Sequence, residues 1–152
     1  MNKRLLSIGL AVLVSAGYSL SAFAQAKPET LVKQRQSAMV LQGKYFGPLG
    51  GMAQGKVPYD QAVVARNAGY LDALSRMAWD GFNPNTKDVK SAALPAVYSD
   101  TAKFKEAQDH FISEASKLAA VSKSGDEAAV KAQIGAVGKT CGGCHENFRE
   151  KQ

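Results

Sequence analysis

The chain has 152 residues and a formal net charge of +6. Residues 1–24 carry Lys3 and Arg4 and no acid, so the charge falls to +4 for residues 25–152, a length that suits a single domain. An excess this small, scattered along the chain, argues against nucleic acid, which calls for Lys and Arg clustered on one face, and leaves room for steering toward acidic partners.

The first segment has the layout of a secretory signal peptide. Basic Lys3 and Arg4 precede an apolar run from Leu5 to Val14, a polar break follows, and Ala22-Phe23-Ala24 supplies small residues for cleavage after Ala24. The apolar run is about half of the ~20 residues that span a bilayer, so export without stable membrane insertion is expected.

Four segments then carry apolar residues at helical spacing. The first runs from about Pro28, which suits an opening turn, to Phe46, with Val32, Met39 and Phe46 at sevens and Gly47-Pro48 as a stop. The second runs from about Pro58 to Ala78, with Val63, Tyr70, Leu71, Leu74 and Met77 on one side and Gly81 beyond its end. A long connection, roughly residues 82–99, contains Pro84 and Pro95 and is expected to lack regular structure over much of its length. The third helix spans about Asp100 to Ser122 on the stripe Phe104, Ala107, Phe111, Ala115 and Leu118. Ser124 and Glu127 read as a capping box for the fourth, whose face continues through Val130, Ile134, Val137, Cys141, Cys144 and Phe148. Strand patterns and internal repeats are absent. The expected fold is all-α: an antiparallel four-helix bundle with one longer crossover, an architecture that builds cofactor sites in its core.

Both cysteines lie in Cys141-Gly142-Gly143-Cys144-His145. A redox thiol pair would need a βαβ setting with the first cysteine near a helix N-terminus, whereas these lie late in a helix. Structural zinc takes four ligands, and the only other histidine is His110. A disulfide would close a very small loop within the helix. The pattern C-x-x-C-H is the signature of c-type haem attachment. Cysteines three apart share one helix face, so both can add to the vinyl groups on one haem edge. The next residue turns about 100° and brings an imidazole toward the iron. The glycines leave room for a flat macrocycle. Covalent haem in the core of the bundle therefore completes the expected fold class.

Other stretches accompany the motif: Lys27-Pro28-Glu29 and Arg35-Gln36-Ser37-Ala38-Met39 in the first helix, Pro58-Tyr59-Asp60, Trp79 and Phe82 around the second, Leu94-Pro95 in the crossover, and Phe148-Arg149 after the histidine. With the motif at the C-terminal end, residues 26 to 151 resemble the cytochrome c prime family. The resemblance implies one haem c, bound through Cys141 and Cys144, with His145 as the proximal iron ligand. It places Arg35 and Gln36 at the haem edge, where Arg35 would meet a propionate. Trp79, Phe82 and Phe148 would contact the macrocycle, and Arg149 would lie beside the proximal imidazole.

Met39 matches the position covering the distal iron face. It stands either as a wall over a five-coordinate, high-spin iron, as second axial ligand of a low-spin electron carrier, or as ordinary core filling. The resemblance further implies an apolar distal pocket for nitric oxide and carbon monoxide, electron transfer without enzymatic acid–base chemistry, a periplasmic location and a homodimer built on the first two helices. His110 is read as a surface residue.

Overall fold

The computed structural model of the protein describes residues 26–151, and the expected leader lies outside them. Five α-helices follow in order: α1 (Pro28–Ala53), α2 (Gln61–Leu74), α3 (Ala96–Ser99), α4 (Thr101–Val121) and α5 (Glu127–Phe148). The four long ones form the bundle. α1 packs on α2 and α5, and α4 packs on α2 and α5, which closes a square of neighbours. Among the described residues the β-type pairing is a single antiparallel bridge between Ala93 and Arg149.

α1 opens on Pro28 and does not stop at Gly47-Pro48 as expected; Pro48 lies inside it. Proline forfeits one hydrogen bond to the previous turn. Beyond it, however, Leu49 and Met52 continue the buried stripe begun by Val32, Arg35, Ala38 and Gln42, and burying such side chains stabilises by ~1.5–3 kcal/mol each. The helix ends instead at Ala53, and Gly55, two residues on, has a positive φ of 70° that supports a Schellman turn, with Gly55 N–H donating to the Met52 carbonyl and Lys56 N–H to that of Gly51.

α2 is shorter than its expected span of 58–78. Asp60 caps it, accepting a 3.0 Å hydrogen bond from the Val63 amide. Its buried face is Val64, Asn67, Ala68 and Leu71; of the expected side Leu71 is buried, whereas Tyr70 and Met77 are 48% and 59% exposed. Small Ala68 and hydrogen-bonded Asn67, whose Nδ2 donates to the Tyr45 carbonyl, allow the close approach to α1, while Tyr70 leans on Tyr45 at 4.8 Å between ring centroids. Trp79 and Phe82 do not end this helix; they belong to a separate 3₁₀ turn, Trp79–Phe82.

The crossover is stiffened by a second such turn, Pro84–Thr86, and by α3, which leads directly into α4. Phe104, Phe111, Ala115 and Leu118 of α4 are buried as their spacing predicts. The capping box at Ser124 is displaced: Gly125, with φ of 77°, turns the chain, and Asp126 caps α5 by accepting from the Ala129 amide. Ser124 Oγ instead donates to the Val121 carbonyl at the end of α4.

Buried side chains fall into two groups. The larger unites all four bundle helices and contains Leu49, Leu71, Leu118, Ile134 and Val137. The smaller consists of Val97, Phe104 and Phe148, and Trp79 packs against both.

Candidate functional site

Beside the smaller group lies a cavity of about 570 Å³, within the range of ligand pockets. The α1 stretch Arg35-Gln36-x-x-Met39-Val40 borders one side, and Cys144, His145 and Phe148 of α5, with Arg149 just beyond its end, border another. Trp79, Phe82 and Phe104 bring aromatic surface, and the crossover contributes Ser91, Ala92 and Ala93. Gln36 and Val40 are exposed, so the cavity opens to solvent along α1.

The chain thus gathers nine of the ten sequence-predicted residues around one space. Cys141 is the exception: one helical turn before Cys144, it packs against the larger core. Sequence reasoning missed Ser91, Ala92 and Ala93, which carry no motif, Val40, and Phe104, which its spacing marked only as core.

The aromatic wall is a chain of packed rings. Trp79 and Phe82 stack at 6.1 Å, Phe104 meets Phe82 edge-on at 4.9 Å, and Phe148 meets Phe104 at 5.1 Å. Trp79 Nε1 is anchored to the Ser75 carbonyl at 2.6 Å.

Arg35 is 3% exposed. Its guanidinium lies 4.4 Å from the Phe82 centroid and, among the described residues, donates only to neutral oxygens: the Gly81 carbonyl at 2.7 Å, Ser91 Oγ at 2.8 Å, Thr86 Oγ1 at 3.0 Å and Tyr98 OH at 3.1 Å. A buried cation without a carboxylate partner is costly. On the far side, Arg149 Nε is buried with no hydrogen-bond partner among the described residues.

Burial pushes the thiols of Cys141 and Cys144 above their ordinary value. That opposes the redox-pair reading, which requires a stabilised thiolate. Burial, and then the nearby Arg149 charge, lowers His145 below its usual value, which favours the neutral imidazole that ligates metals. Among the described residues no three His, Cys, Asp or Glu side chains converge as a metal site, so structural zinc lacks its ligand set.

A planar group with an apolar body and acidic substituents fits these surroundings: aromatic walls, a buried cation lacking a counter-charge and an orphaned guanidinium N–H. With C-x-x-C-H on α5, the fold and cavity define a bundle-type cytochrome with covalent haem.

The chain belongs to the cytochrome c' family, whose family model, described as Cytochrome C', matches residues 30–149. Cytochrome c' of Rubrivivax gelatinosus is 44% identical over 126 residues, covering 82% of this chain and 98% of the relative. Cytochrome c' of Alcaligenes xylosoxydans xylosoxydans is 39% identical, covering 84% and 98%. The crystal structure of the Rubrivivax gelatinosus protein superposes with a TM-score of 0.78 at 42% identity, over 82% of this chain and 98% of that one. A nitric oxide complex of a variant of the Alcaligenes xylosoxidans protein superposes with a TM-score of 0.77 at 38% identity, over 84% and 99%. Haem c is the cofactor of this family, and the two cysteines of residues 141–145 supply its attachment sequence.

Proposed function

We propose that the protein is a periplasmic haem c protein in which His145 holds a five-coordinate, high-spin iron, serving in electron transfer, in binding nitric oxide and carbon monoxide, or in both. The observation that carries this reading is the cavity shared by His145, Cys144, Arg35 and Met39. His110 lies elsewhere, 64% exposed on α4.

The haem supplies an iron that changes oxidation state and takes diatomic ligands. The chain's own residues have separable tasks. Cys141 and Cys144 anchor the group covalently, and the lowered basicity of His145 keeps its imidazole available as a ligand. Arg35 and Gln36 receive the polar edge of the macrocycle, and Arg149 lies beside the proximal imidazole. Trp79, Phe82 and Phe148 exclude water from its apolar body, and Met39 walls the distal side. None of these tasks is acid–base catalysis, which makes the protein a carrier or gas binder and not an enzyme.

Nitric oxide and carbon monoxide complexes of variants of the Alcaligenes xylosoxidans relative support the gas-binding part. The leader at residues 1–24 supports export, and no helix among the described residues is long and apolar enough to cross a membrane. Exposed Leu41, Tyr70 and Met77, on or just beyond α1 and α2, support a homodimer through those helices.

One specific observation favours a second reading. Met39 borders the same cavity as His145, and a thioether there serves as a sixth ligand in a purely electron-carrying protein. Visible spectra of the exported protein, oxidised and reduced, with and without each gas, test the proposal. Broad ferrous bands that change on adding carbon monoxide agree with it. Sharp low-spin ferrous bands indifferent to carbon monoxide overturn it.

A further inference from the structure

The hydrogen bonds of Arg35 divide its guanidinium into two unlike edges. Nη1 is fully committed, to Gly81 O, Thr86 Oγ1 and Tyr98 OH. Nη2 donates once, to Ser91 Oγ, which leaves it a second N–H. Nε makes no hydrogen bond among the described residues, although Arg35 borders the cavity. Nε–H and the N–H of Nη2 beside it form the side-on fork that matches a carboxylate.

The committed edge is held by a directed chain of hydroxyls. Thr86 Oγ1 has one proton, and its shortest contact, 2.6 Å, is to the Asn83 carbonyl, so that is where it donates. With that proton spent, it accepts from Arg35 Nη1 at 3.0 Å, and the 2.9 Å contact with Tyr98 has the tyrosine as donor. Tyr98 in turn keeps lone pairs for Arg35 Nη1 at 3.1 Å. Thr86 has no solvent exposure, so these bonds cannot be traded for water.

We propose that Tyr98 is a positioning residue for cofactor binding: acting with Thr86, its hydroxyl fixes the Nη1 edge of Arg35 and holds the Nε–Nη2 fork ready for an acidic group of the haem. The proposal rests on the assignment of Arg35 to the haem edge. It adds a residue that lies outside the cavity lining and 63 positions from Arg35 in the chain.

Tyr98→Phe removes one oxygen and keeps the ring. In the holoprotein, the reduction potential is followed against pH. A haem carboxylate paired with Arg35 titrates low, so loosening the pair moves the inflection to higher pH. The other ionisable side chains bordering the cavity are Cys144 and His145 of α5 and Arg149 just beyond it, and none touches Tyr98 through a hydrogen bond. Arg35→Gln should move the inflection upward, and Tyr98→Phe should move it the same way by a smaller amount. Thr86→Val is the second variant, and Thr86→Ser, which retains the hydroxyl, should restore the wild-type profile. If Arg35→Gln moves the profile while Tyr98→Phe and Thr86→Val do not, Tyr98 is not a positioning residue, although Arg35 keeps its role. If none moves it, the assignment of Arg35 fails and takes the proposal with it. A loss of thermal stability with an unmoved profile likewise counts as a merely structural role.

Discussion

Gly81 and Arg35 approach so closely that no side chain fits between them. A methyl group on Gly81 would lie 2.6 Å from Arg35 Cβ and 2.7 Å from the Leu31 carbonyl oxygen. The 3₁₀ turn carrying Trp79 and Phe82 therefore seats directly on α1, and the Gly81 carbonyl accepts from Arg35 Nη1. Gly81→Ala must push the turn off the helix, because the obstructing oxygen belongs to the backbone. The expected cost is ~1–3 kcal/mol, the usual penalty for overpacking, measurable by urea unfolding. An unchanged midpoint would refute the contact.

A second relationship makes acid stability measurable. Glu114, nearly buried on α4, accepts from Lys117 Nζ at 2.6 Å and from Gln133 Nε2 of α5 at 2.6 Å. These hydrogen bonds, that from Lys117 first, hold its carboxyl below the ordinary value of 4.5. A group depressed in the folded state contributes stability that is fully present above its unfolded pKa and is lost as pH falls through the folded one. Glu114→Gln should therefore be less stable than wild type near neutrality, with the difference shrinking as pH drops below about 4.5. Thermal unfolding across that range checks this, and a difference independent of pH would contradict it.

Much of the site was legible because its chemistry is local. Cys141, Cys144 and His145 fall within five consecutive residues, whereas Arg35, which the structure buries beside Val32 and Ala38, was placed at the haem edge only by the family resemblance. The stripes of α4 and α5 were readable because large apolar residues recur there without rivals. In α2 only Leu71 of the expected side is buried, and the small Ala68 and polar Asn67 that complete the buried face carry no apolar signal in the sequence. Pro48 misled for a related reason: a local stop signal is overridden when Leu49 and Met52 bury beyond it. The Ser91-Ala92-Ala93 wall was invisible, since its place at the cavity is set by pairing with the C-terminal segment: Leu94 N–H donates to Phe148 O and Glu150 N–H to Ala92 O.

The proposed dimer predicts a charge-sensitive face. Leu41 lies one turn before Tyr45, whose ring meets Tyr70 across α1 and α2, and both Leu41 and Tyr70 are exposed. In a two-fold interface every substitution occurs twice, so Leu41→Glu sets two unpaired carboxylates into apolar surface. Sedimentation should show a wild-type dimer and a Leu41→Glu monomer with unchanged helicity. A wild-type monomer at micromolar concentration would remove the dimer from the proposal.

Met39 separates the two readings of the iron site through two substitutions with different logic. Met39→Ala removes three heavy atoms from the cavity lining. As the side chain is half-buried, the stability cost should stay below ~2 kcal/mol, the low end for buried methionine truncation. If Met39 is a wall, the resting spectrum is little altered and carbon monoxide binds faster. If its sulfur ligates, spin state and potential change together. Met39→Leu resolves the remaining overlap, since it keeps the bulk and removes the thioether. A wall residue makes Leu behave like wild type in spectrum and in gas-binding rate. A ligand makes Leu behave like Ala in spin state, despite its size. The proposed five-coordinate site requires the first pattern, because only there does volume, and not sulfur, govern access to the distal face.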